Sequence, residues 1–105
     1  MRRGVWVLTW RFELEANAQQ TESVETAVFL EKDDAIRFAG RTADREARLH
    51  YGYAAKDAAT VAERVEGDLA VTRNGESSST VELRDGDNLV LGLQRKIIRG
   101  AGNGK

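Results

Sequence analysis

The stretch RLHYGYAAKD, residues 48 to 57, holds the chain's one histidine, His50, and both of its tyrosines, Tyr51 and Tyr53. An imidazole is the side chain whose charge ordinarily changes near neutral pH, and an orienting carboxylate turns it into a competent acid, base or ligand. Phenols beside it would wall a small-molecule pocket. Without such a carboxylate a lone histidine does little, and the local pattern offers it another place. The segment EKDDAIRFAGRTADREARLHYG begins with acids and ends basic, the polarity that suits a helix dipole. At about 100° per residue Ile36, Ala39, Ala43, Ala47 and His50 share one stripe, and Gly52 follows where a left-handed cap would stand. The sequence therefore predicts His50 as a packed residue in the last turn of a helix. His50 in an open cleft, within reach of a carboxylate and beside Tyr51 or Tyr53, would instead point to a small-molecule site between helix and sheet.

The opposite side of that helix carries Arg37, Arg41, Arg45 and Arg48, the best candidate binding surface in the chain. Guanidinium groups meet phosphates, an acidic protein or the acidic stretch 13 to 34 of a second copy. Asp33, Asp34, Asp44 and Glu46 lie in the same segment, so local ion pairs on a solvated face are the competing expectation. A second basic patch follows Asp87, where Arg95, Lys96, Arg99 and Lys105 meet no acid.

Other motifs reduce to structure. RDGDN at 84 to 88 lacks the ligand pattern of a calcium loop and reads as a turn. GNGK at 102 to 105 has no helix after it to make a phosphate loop. Ser77, Ser78 and Ser79 would need His50 as their base. No catalytic set, no metal site and no cofactor is expected.

The elements that position these residues are legible from periodicity. Trp6, Leu8, Trp10, Phe12 and Leu14 alternate along a first strand, whose other face turns polar after Val5 and Val7. After the polar connection ANAQQTES, a second strand places Val24, Val28 and Leu30 on one side, completing an antiparallel hairpin. A shorter helix with Asp57 at its start, Ala58, Val61, Ala62 and Val65 inward and Gly67 at its end is preferred over a strand there. LAVTR, STVELR and NLVLGLQRKII then form a three-strand meander, with Val71 opposite Val81, Leu69 and Leu89 each opposite Leu83, and Leu91 opposite Val81.

The expected fold is α+β: about five antiparallel strands with one long and one short helix packed on one face. Residues 1 to 105 make a single domain, with 1 to 3 and 100 to 105 as flexible ends. Trp6, Trp10, Phe12, Ile36, Ala43, Val81, Leu83 and Leu91 are its expected core. At 105 residues, 41% hydrophobic and 31% charged, such a chain can bury roughly two-thirds of its unfolded surface.

Cysteine is absent, which removes disulfides and thiolate chemistry, and the net charge of −1 gives no overall field toward nucleic acid or anionic lipid. The apolar run after Arg2 and Arg3 is interrupted by Arg11, too soon for a secretory signal. No stretch approaches the roughly 20 apolar residues of a membrane span. A cytoplasmic protein with no membrane partner is expected. Its expected function is a non-catalytic interaction module that recognises another protein or pairs with itself as a homodimer. Nucleic-acid binding through Arg37, Arg41, Arg45, Arg48 and the basic C-terminus is the first alternative, and a pocket near His50, Tyr51 and Tyr53 the second.

Overall fold

A computed structural model of the chain describes residues 3–15 and 23–98, with Arg3 described by its backbone alone. The expected flexible ends lie outside these residues, apart from that backbone, as does most of the connection ANAQQTES. The order is β1 (Arg3–Glu13), β2 (Glu25–Phe29), α1 (Lys32–Tyr51), α2 (Ala55–Ala70), β3 (Glu76–Glu82) and β4 (Asn88–Ile98). The strands form one antiparallel sheet in the order β2-β1-β4-β3, and both helices pack on the same face.

Side-chain size explains which strands are central. On the helix-facing side β1 presents Trp6, Leu8, Trp10 and Phe12, and β4 answers in register with Leu93 opposite Leu8, Leu91 opposite Trp10 and Leu89 opposite Phe12. Of the edge strands, β2 brings Ala27 opposite Leu8 and Phe29 opposite Trp6, and β3 brings Ser77, Ser79 and Val81 opposite Leu93, Leu91 and Leu89. Ala35, Ala39, Ala43 and Ala47 on α1 are buried, so small side chains let the helix approach while Leu8, Leu89, Leu91 and Leu93 fill the space between. Ala43, Val81, Leu83 and Leu91 are buried as expected, whereas Trp6, Trp10, Phe12 and Ile36 are half-buried around the same cluster.

The sheet has four strands, not five, because α2 absorbs the expected strand LAVTR. Leu69 continues the apolar stripe of Ala58, Val61 and Val65, and Gly67, with open space around it, does not interrupt the helix. Asp57 lies inside the first turn rather than at the cap, which falls on Ala54. The Leu69 carbonyl, left over at the helix end, accepts hydroxyls from Thr72 at 3.1 Å and Ser77 at 3.0 Å. The remaining hairpin slips by two residues from its expected register, with Val81 opposite Leu89 and Ser79 opposite Leu91. A slip of two keeps the faces, and it lets the buried Ser79 hydroxyl donate to Asp68 on α2 at 2.7 Å.

On β2 the phase is opposite to a core-facing Val28. Phe29 turns inward and stacks on Phe38 with ring centroids 5.2 Å apart, while Val24, Val28 and Leu30 are exposed. No described helix is long and apolar enough to cross a membrane.

Candidate functional site

Past Ala47 the last turn of α1 is exposed at Arg48, Leu49 and His50, with Tyr51 half-buried. Glycine at 52 ends the helix with φ of 66°, its N–H reaching the carbonyls of Ala47 and Arg48. Between this turn and the later half of β1 lies a cleft of about 510 Å³. Trp10, Phe12 and Leu14 form its apolar wall, Glu25 comes from β2, and Arg45, Glu46, His50 and Tyr51 come from α1. The volume is within the range of small-ligand sites, roughly 300 to 1,000 Å³.

His50 has the angular position expected of it, but the space it faces is this cleft, so its side chain is 59% exposed rather than packed. Its Nε2 lies 2.9 Å from Oε2 of Glu46, one turn earlier. Glu46 is almost buried, and its other oxygen receives Arg45 at 3.3 Å. The nearly buried carboxylate thus stands beside the imidazole at the wall of the cleft. Phe12 meets the imidazole edge-on with centroids 5.8 Å apart and touches the Tyr51 ring at the same separation.

Tyr51 is anchored from the other side. Its hydroxyl donates to Oδ2 of Asp87 at 2.6 Å, and the Glu15 amide donates to Oδ1 at 2.9 Å. The Tyr51 hydroxyl first, and the Glu15 amide second, hold the Asp87 carboxyl below its ordinary value against a smaller opposing effect of burial. Asp87 thereby ties the end of β1, the end of α1 and the turn before β4 into one corner. That turn is a single 3-10 turn over Arg84–Gly86, as expected of RDGDN, with Asp85 at φ 65°. Among the described residues no group of three or more acidic, histidine or cysteine side chains could hold a metal ion.

Tyr53 is not in this cleft. Its ring lies under the Arg84 guanidinium, 4.3 Å from the centroid, while Arg84 also donates to the carbonyls of Tyr51 and Gly52. Arg37, Arg41, Arg45 and Arg48 are all exposed. Three of them are paired on their own helix: Arg37 with Asp34, Arg45 with Glu46, and Arg48 with Asp44 at 2.7 Å. Arg41 lies over a groove between α1 and α2. The stripe exists, and its own carboxylates hold most of it.

Sequence reading missed Glu46, Trp10 and Phe12 as site residues. The Glu46–His50 pair had a visible signal, a carboxylate four residues before the histidine on a predicted helix. Compared with protein-family models, with curated proteins and with solved structures, the chain matches none.

Proposed function

We propose that the protein binds a small, partly aromatic molecule in the cleft between β1 and the end of α1. The observation that carries this reading is the approach of His50 to the nearly buried Glu46, 2.9 Å apart, inside a cleft whose other wall is Trp10, Phe12 and Tyr51. Flat rings stack on Trp10 and Phe12, and a polar group on the ligand meets the imidazole. The role is binding rather than chemistry, since Tyr51 already donates to Asp87. Native mass spectrometry of the purified protein looks for a retained small molecule, and a thermal-shift screen of small aromatic acids and amines supplies probes. Hits are expected to quench tryptophan fluorescence and to weaken at least tenfold in the His50→Gln variant. A screen without hits, or hits indifferent to His50→Gln, would overturn the reading.

The second reading is a protein partner, including a second copy of this chain. It is favoured by β2, an edge strand with Val24, Val28 and Leu30 exposed at 54%, 60% and 68%. Unpaired strand edges with apolar neighbours add further strands readily. Sedimentation across a range of concentrations tests it: a monomer at all of them removes the homodimer.

A further inference from the structure

Among the described residues Lys32, Arg41, Lys56, Arg73, Arg84, Arg95 and Lys96 form no ion pair, and four of these, Lys32, Arg73, Arg95 and Lys96, lie toward one end of the sheet. Pairing of β1 with β4 puts Val5 opposite Lys96 and Trp6 opposite Arg95, so these two cations stand beside the start of β1. Lys32, at the start of α1, sits with its ammonium 5.7 Å from the Trp6 ring centre. Arg95 donates its backbone N–H to Gly75 at 2.6 Å, and Arg73 stands just before that turn. The Arg95 guanidinium runs over Gly4, where a Cβ would lie 2.8 Å from Nε, so only glycine leaves it that path.

Among the described residues no carboxylate lies within ion-pairing distance of Lys32, Arg73, Arg95 or Lys96; the pairs engage Arg11, Arg37, Arg45, Arg48, His50 and Arg64 instead. This cluster is at the opposite end of β1 from the His50 cleft. Arg95 and Lys96 are neighbours on a strand, so they point to opposite faces of the sheet. A single phosphate cannot meet both. A flexible polyanion that turns around the sheet end can.

We propose that this end of the sheet binds single-stranded nucleic acid through its phosphates, without reading sequence. Arginine favours phosphate geometrically, and phosphate contacts of this kind give affinity rather than sequence information. Glu31, Asp33 and Glu76 stand at the same end, so the attraction acts at contact distance and not through a long-range field. A stiff duplex would reach one face of β4 only, which is why the single strand is the better fit. The site is independent of the ligand cleft.

The test is fluorescence anisotropy of a labelled twenty-nucleotide oligo-dT against salt. Four phosphate contacts on a single strand give a slope of log K on log salt of about −2.8. Lys96→Gln together with Arg73→Gln, both exposed positions, is expected to flatten the slope to about −1.4. Lys96→Gln alone serves if the double variant loses its circular dichroism, with an expected slope of about −2.1. Arg37→Gln with Arg41→Gln on α1, and His50→Gln in the cleft, are expected to leave the slope unchanged. No binding at low salt would overturn the proposal. So would an equal loss in the α1 variant, or binding of heparin or polyglutamate without binding of oligo-dT.

Discussion

The Tyr51 hydroxyl and the Asp87 carboxylate, 36 residues apart in sequence, meet at 2.6 Å and fasten the end of α1 to the start of β4. The bond lowers the carboxyl's folded pKa, so its stabilisation is fully present above the unfolded value of 3.8 and is lost as pH falls through the folded value. Tyr51→Phe is therefore expected to melt below the wild type at pH 7. The gap should close as the pH is taken down to about 2, in thermal melts followed by circular dichroism. A gap that stays constant through the acid range would mean that the bond contributes nothing.

Gly52→Ala forces a Cβ into the left-handed region at φ 66°. The expected cost is about 1–2 kcal/mol. Urea unfolding would register it as a lower midpoint with an unchanged slope. A wild-type midpoint would show that α1 ends elsewhere.

Leu91 is fully buried on the central strand, whereas Val28 is 60% exposed on the edge. Leu91→Ala is expected to cost about 2–5 kcal/mol and Val28→Ala less than about 0.5 kcal/mol. Equal losses would place Val28 in the core, as a reading of β2 in the opposite phase would have it.

His50→Gln is expected to change stability by less than about 0.5 kcal/mol, because an exposed imidazole has little packing to lose. Chemical denaturation at pH 7 decides this. A loss above about 2 kcal/mol would restore His50 to the packed stripe on which its helical angle alone places it.

That contrast marks how far periodicity reaches. Alternation along β1 fixed its inner face correctly, and the alanine stripe of α1 fixed the side turned to the sheet, because both are repeated over several turns or pleats. What the repeats could not convey is where the facing layer stops. His50 keeps the phase of Ala43 and Ala47, yet it meets the Phe12 ring at the margin of the cleft and stays 59% exposed. The fifth strand failed for a related reason: in GDLAVTR the residues Leu69 and Val71 fit a strand by alternation, while Leu69 fits a helix only when read back to Val65 and Val61. The Tyr51–Asp87 contact had no local signal at all, since both partners are set by the sheet register that joins β1 to β4.

The position of β4 also governs the order in which the fold can assemble. It is the last of these strands to leave a ribosome, yet it lies between β1 and β3, the first strand and the one made just before it. Until it arrives, the β1–β2 hairpin has no strand to join it to β3, and the edge of β1 that will receive eleven residue pairs is open. Nascent chains stalled before Asn88 would hold Trp6, Leu8 and Trp10 along an unpaired edge, a surface that a chaperone or a neighbouring nascent chain would recognise. Completion of the sheet is thus a long-range event that waits on β4 rather than on the strands made before it.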